Sequence, residues 1–389
     1  MRKQHLPVGL LMRIGVVTKW FNRGQPVVGR HTRSALDALG HETFVLARPK
    51  KEFGTHAGAL SRDDVWDQPG VTEASRFDVP LAEYVQWIDR EGIEAILCDQ
   101  NYGFSELAEL RSRGVRVIGR FVWEHFSAEH VEGARRAYDV VFSMTRAEQE
   151  RYRAMGLETP YVPWGCHPEL IEVGKGRQTS HTVSHTGPNG AVGAGEHVTF
   201  VFTGGFLGRR KPLEPVLEAW SLVESPRARL VVKAQVERKR LAGAEEAARH
   251  DERIELRIAD EPTRQHLETV AAADVTVSPA RWEGLGLPLY EAVAFGQPAI
   301  TNDVAPMNEI TRHEENGILV ASTPDGTARS GIPAHAFDLA AMAGAIDRLA
   351  DDDELRARLA SGAVGLREGE RAWEHTVRGF EALLELAAA

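Results

Sequence analysis

Between residues 274 and 291 the chain reads DVTVSPARWEGLGLPLYE, which gathers residue types suited to one anion and several hydroxyl groups. Val275 and Val277 predict a buried strand that ends at Ser278-Pro279. After a loop, Gly284-Leu285-Gly286 leads into a helix with Pro288 in its first turn, a favoured place for proline. Glycines just ahead of a helix leave its first N–H groups open, and the helix dipole adds favourable potential for an anion, so the segment predicts a phosphate site. Glu283 precedes the helix and is expected to project into a cleft. Glu291 follows about one turn inside. Two carboxylates would repel a bare diphosphate, but they suit hydroxyl recognition, one reading a sugar and the other a ribose.

Residues of this kind need a scaffold, and the chain predicts one twice. Short apolar runs at 12–17, 42–47, 95–98, 115–121 and 140–144 alternate with helical patterns. The first helix is expected over 30–39, after a loop holding Gly24 and Gly29, with Gly40 as its stop. The alternation restarts with runs at 198–203, 230–233, 254–258, 275–278, 299–301 and 317–320. Such alternation implies parallel sheets covered on both faces. The expected fold is α/β, with two facing, Rossmann-like, doubly wound domains and a cleft between them. Ligands of such sheets bind beyond the carboxyl ends of the strands. Residues 1–165 form the expected N-terminal, acceptor-side domain, joined by a C-terminal helix within 371–389. Residues 166–370 form the C-terminal, nucleotide-sugar-side domain. Within it, GKGRQTSHTVSHTGPNGAVGAGE (174–196) is expected to be a flexible insertion. His181 and His185 have the spacing of helical metal ligands, but the surrounding Gly, Pro, Ser and Thr favour a bare loop.

Bulk properties narrow the partners. The 389 residues carry a net charge of −10. Residues 1–165 hold 22 basic and 22 acidic residues, and the remainder holds 24 and 34, so the second half carries the whole excess. An acidic half argues against nucleic acid. Arg111, Arg113, Arg116, Arg120, Arg135 and Arg136 form local clusters, read as a solvated face that neither requires nor forbids peripheral membrane contact. Cys98 and Cys166 are the only cysteines, which fits a reducing cytoplasm. No run approaches the ~20 apolar residues of a membrane span. The apolar start LPVGLLMRIGVV is broken by Arg13 and lacks a small-residue cleavage site, so no secretory signal is expected. Oligomeric state is not legible.

The 283–291 segment closely resembles the E-x7-E signature of the large retaining glycosyltransferase family 4, which has the GT-B fold. Four further patterns resemble the family in the same order: GQPVVGRHTRSALDALGHE, YVPWGCHPEL, VTFVFTGGFLGRRKPLEPVLEAW and MNEITRHEENGILV. The resemblance implies that Glu283 faces the donor sugar and Glu291 binds the ribose hydroxyls. Gly284, Leu285 and Gly286 would cradle the distal phosphate, Lys211 would neutralise the diphosphate, and Gly29 would approach the phosphates from the first loop. There are departures. The family's Arg after the glycine-rich turn is Gly205 here, with Arg209, preferred over Arg210, as its replacement. The family's sugar-contacting His falls in GRFVWEHF, where His125 or Glu124 would take the role beside Trp123. The connector's usual Asp is His167.

Transfer of a sugar breaks the bond between its anomeric carbon and a phosphate oxygen, leaving positive charge on the ring and negative charge on the diphosphate. Lys211, an arginine and the helix tip would stabilise that leaving group, each fixed donor contributing ~3–4 kcal/mol by analogy with an oxyanion hole. No acidic pair sits at a strand end to hold Mg2+, and Asp351-Asp352-Asp353 reads as a helix start. The resemblance thus implies a metal-independent hexosyltransferase acting with retention, with no cofactor beyond the nucleotide sugar as co-substrate and an unidentified acceptor. Other readings stay open: Glu283 as a double-displacement nucleophile, a nucleotide-sugar epimerase, a phosphorylase, or a degenerate nucleotide binder. The acceptor depends on N-terminal loops such as 50–80.

Overall fold

Two series of short buried strands build two separate sheets in the computed structural model, which describes residues 11–49, 60–184, 197–236 and 241–388. In the first series β1 (Arg13–Thr18), α1 (Gly24–Ala38), β2 (Glu42–Ala47), β3 (Val71–Glu73), α2 (Leu81–Glu91), β4 (Ala95–Asp99), α3 (Phe104–Ser112), β5 (Arg116–Arg120), α4 (Val131–Ala137), β6 (Val140–Phe142) and α5 (Arg146–Ala154) follow one another. All six strands pair in parallel, in the order β3-β2-β1-β4-β5-β6. Every residue of β4 is buried, as a strand covered on both faces must be.

The second series runs α6 (Pro168–Ser184), β7 (Val198–Gly205), α7 (Leu213–Trp220), β8 (Ala228–Ala234), α8 (Ala242–His250), β9 (Ile254–Ile258), α9 (Thr263–Ala271), β10 (Val275–Val277), α10 (Leu287–Phe295), β11 (Ala299–Asn302) and β12 (Gly317–Val320). Its six parallel strands take the order β12-β11-β10-β7-β8-β9. Phe200, Phe202, Trp220, Val232, Val275 and Ile300 lie in its core. An antiparallel hairpin, β13 (Ser322–Thr327) and β14 (Pro333–Phe337), precedes α11 (Leu339–Asp351), α12 (Asp353–Glu368) and α13 (Trp373–Ala388). Asp352 caps α12 by accepting the Leu355 N–H at 2.8 Å, so the aspartate triplet does begin a helix.

The chain divides into two compact units. One takes the residues through Met144, Glu148–Pro163 and the chain from Thr376 onward; the other takes Thr145–Ala147 and Trp164–His375. From Thr376 onward α13 packs in the first unit, where Thr376 Oγ1 donates to the Pro163 carbonyl at 2.9 Å and the Phe380 ring meets Phe142 at 5.6 Å.

One expectation fails here. The segment from 174 was read as a flexible insertion in which a helix is disfavoured, yet α6 runs through it to Ser184; His185 and residues 186–196 lie outside the described residues, as do 50–59 of the 50–80 loop region. The physical reason lies in Gly174. A Cβ there would stand 2.9 Å from the Phe295 Cα, so the glycine lets α6 lie directly against α10 and does not break the helix. Among the described residues no helix is long and apolar enough to cross a membrane.

Candidate functional site

In the second unit β10 delivers the glutamate-glycine turn, and β11 fastens it. Thr301 Oγ1 donates to the Ser278 carbonyl at 2.7 Å and Asn302 Nδ2 to that of Ala280 at 3.1 Å. Gly286 then caps α10 at φ +82°, a left-handed backbone that side chains rarely adopt, with Pro288 in the first turn.

The turn brings Glu283 against the cations that follow β7. Glu283 is 3% exposed and Lys211 8%. The Lys211 ammonium donates to one carboxylate oxygen, and Arg210 Nη1 reaches the other at 2.8 Å. The Arg281 N–H, donating to the Arg210 carbonyl at 2.9 Å, pins the two segments together. Burial pushes the Glu283 carboxyl upward, but Lys211 and Arg210 outweigh it and hold the group below its ordinary value. Sequence reading preferred Arg209 to replace the family's phosphate-binding arginine; that residue is exposed, and its neighbour Arg210 is the one paired with Glu283. The two are adjacent, so only the direction of the chain after Gly208 decides between them.

Sequence reading expected Glu283 to project into a cleft; in the structure Lys211 and Arg210 enclose its carboxylate. Gly284, Leu285 and Gly286 are buried, and Leu287 and Pro288 are half-buried. The Gly284 N–H is committed to the Glu283 carboxylate. Glu291, half-buried in the second turn of α10, has its carboxyl raised to about 7 by burial, against the opposing pull of Lys211. Gly205 sits at φ +55°, a left-handed backbone in which an arginine side chain would be strained.

In the first unit, Gly29 is not in a loop. It lies inside α1 and is buried; a Cβ would come 2.6 Å from Thr18 Oγ1. Its small size serves packing of α1 on β1. After β5, Trp123, Glu124 and His125 form a turn in which Trp123 is buried, Glu124 half-buried and His125 exposed. Sequence reading missed Glu148, a wholly buried carboxyl in α5 that accepts the Met144 N–H at 2.9 Å and the Trp123 N–H. Burial raises it to about 7, against Arg120 and these donors. His167 is buried against Trp373, ring centroids 4.8 Å apart, with Nδ1 3.6 Å from the Glu169 carboxylate. The basic clusters carry their own counter-ions: Arg111 pairs with Asp139 at 2.7 Å, Arg113 with Glu109 at 3.0 Å and Arg135 with Glu132 at 2.6 Å.

Residues 197–352 match the family model described as Glycosyl transferases group 1. Over 97 residues the chain is 32% identical to alpha-D-kanosaminyltransferase of Streptomyces kanamyceticus, covering 25% of this chain and 22% of that protein. Over 119 residues it is 36% identical to a D-inositol 3-phosphate glycosyltransferase of Acidothermus cellulolyticus, covering 31% and 23%. The matches thus span under a third of the length of these curated relatives. Across 97% of this chain and all of the other, the fold is similar to sucrose-phosphate synthase from Thermosynechococcus elongatus, with TM-score 0.70 and 16% identity. The structure of Anabaena HepE in complex with UDP and glucose is similar over 96% of this chain and 99% of that one, with TM-score 0.68 and 15% identity. The two six-stranded parallel sheets are those of the GT-B fold.

Proposed function

We propose that the chain is a retaining, metal-independent glycosyltransferase of family 4 that moves a hexose-type sugar from a nucleotide diphosphate to an acceptor hydroxyl. The observation that carries this reading is the buried Lys211–Glu283–Arg210 cluster at the turn that begins α10. The family match over 197–352 supports it, since that stretch contains all three residues and Glu291.

In this reading the anomeric C–O bond to phosphate breaks while the acceptor oxygen bonds to the same carbon on the face the diphosphate leaves, and the acceptor proton passes to the departing phosphate. Lys211 and Arg210 supply fixed positive charge where negative charge develops, and they need not reorganise as it does. Glu283, ionised because those cations hold its carboxyl down, accepts hydrogen bonds from the donor sugar. Glu291 reads the ribose hydroxyls. Donor entry turns the Gly284 amide from Glu283 to the distal phosphate, joined by the amides of Leu285 and Gly286. By the family resemblance, His125, or Glu124 in its place, takes the sugar-contacting role. We place the reaction in the cytoplasm, consistent with two buried free thiols.

The test is release of nucleotide diphosphate from a panel of nucleotide sugars with EDTA present. Lys211→Ala and Glu291→Ala should each lose most of the activity. Full activity in both variants refutes the site, and activity abolished by EDTA refutes metal independence. Binding of nucleotide diphosphates with no turnover on any acceptor would favour the degenerate-binder reading, which the absence of the family's arginine at Gly205 motivates.

A further inference from the structure

We infer that the first unit holds an anion site at the carboxyl end of its sheet, built by Lys19 and Arg48, and that it takes a phosphate group carried by the acceptor. Calling the bearer an acceptor rests on the transferase reading; the anion site does not.

Adjacent parallel strands deliver the two cations side by side. Thr18 of β1 is in register with Ala47 of β2, and Lys19 and Arg48 are the next residue of each. The Arg48 N–H donates to the Thr18 carbonyl at 2.7 Å. On its other side β1 pairs with β4, so the sheet reverses its strand order at β1, the place where doubly wound sheets receive ligands.

Charges buried in proteins are ordinarily paired. Arg48 is 2% exposed, yet its partners are neutral. Nε donates to the Phe77 carbonyl at 2.8 Å and Nη1 to that of Gln100 at 3.0 Å, and the guanidinium lies 4.0 Å from the Phe77 ring centroid. That commits two of the group's five N–H donors. Lys19 reaches Gln25 Oε1 at 3.0 Å and lies 5.6 Å from the same ring. The carboxylate at this end of the sheet, Asp99, is engaged by Arg120 at 3.2 Å. Among the described residues neither Lys19 nor Arg48 has an acid within ion-pair distance. Burial and the neighbouring Arg48 lower the Lys19 ammonium's pKa, with Asp99 opposing; a bound anion would reverse that. Two cations match a phosphate monoester, which carries about −1.5 to −2 at pH 7, better than a single carboxylate.

The experiment is calorimetric titration of the whole chain with inorganic phosphate, alone and with saturating uridine or guanosine diphosphate. Wild type should bind phosphate, the nucleotide should leave that binding in place, and Lys19→Ala should weaken it by about tenfold or more, the scale of one charge-assisted hydrogen bond. Lys19 is half-buried, so its alanine variant carries the test even if Arg48→Lys fails to fold. Absence of phosphate binding, equal binding by Lys19→Ala, or complete displacement by the nucleotide overturns the site. A second arm compares a hexose with its 6-phosphate as acceptor. Lys19→Ala should raise KM for the phosphate by about tenfold on the same scale, with a smaller change for the hexose; equal changes for both overturn the acceptor assignment. If no nucleotide is released with any acceptor while Lys19-dependent phosphate binding persists, the transferase reading fails and the anion site stands.

Discussion

Lys211 and Glu283 stand 72 positions apart in the chain and meet in a buried ion pair. Removing one member of such a pair strands the other, so Lys211→Met or Glu283→Leu alone should cost roughly 3 kcal/mol. The double variant should recover much of that loss, because apolar groups can replace a buried pair and the half-exposed Arg210 can turn to water. Urea unfolding of the four proteins measures the coupling. Activity separates the roles: the double variant should be folded and inactive. A folded, fully active double variant would show that the pair only holds the turn.

Glu291 should make donor binding pH-dependent. A carboxylate accepts hydroxyl hydrogen bonds with both oxygens, whereas its protonated form loses acceptor capacity. Its carboxyl titrates at about 7, so affinity for an intact nucleotide sugar should rise as pH climbs from 6 towards 8. An intact UDP-sugar is the proper probe, because a terminal phosphate titrates near ~6 itself. Glu291→Gln should bind more weakly at pH 8, with affinity flat across the range. A parallel slope in both proteins assigns the titration to another group.

The second-unit site was readable in outline because its signals are local: an apolar strand, glycines, a proline in the first helical turn. Glycine and proline act through their own backbone, so Gly286 and Pro288 could be placed without neighbours. Side-chain partners could not. That Arg210 rather than Arg209 pairs with Glu283 depends on how the chain turns after β7. Glu148 sits in the polar run RAEQERYRA, where nothing local says that one glutamate faces inward. Gly29 and Gly174 misled for one reason: glycine marks a turn and a close helix contact equally well, and only the element opposite it decides.

Gly29 offers a direct check of that argument. A methyl group there would stand 2.6 Å from Thr18 Oγ1 and 2.7 Å from Thr18 Cγ2. Gly29→Ala should therefore cost about 1–3 kcal/mol by overpacking. In a Thr18→Ala background both clashing atoms are gone, along with a buried hydroxyl that has no hydrogen-bond partner, so the same substitution should cost much less. The double-mutant cycle reads that coupling. If Gly29 instead acted on a phosphate, the alanine variant would keep its stability and lose donor affinity.

Glu148 should leave its mark on stability as a function of pH. Its carboxyl is raised from the ordinary 4.5 to about 7, so between those values the folded chain holds a proton that the unfolded chain has released. Stability from this group falls as pH rises through that window, by up to about 1.4 kcal/mol per pH unit, and is level above it. The wild-type profile alone conceals this. His266, lowered to about 4 by burial and the nearby Lys233, and buried His31, also lowered, act in the opposite sense up to 6.5. The difference between Glu148→Gln and wild type removes the histidines, which both proteins share. In urea unfolding at matched pH values the variant should gain on wild type from pH 4.5 to 7 and hold a constant offset above. A difference that is flat throughout means the carboxyl titrates alike in both states, and the contacts to Met144 and Trp123 then carry no penalty for keeping it charged.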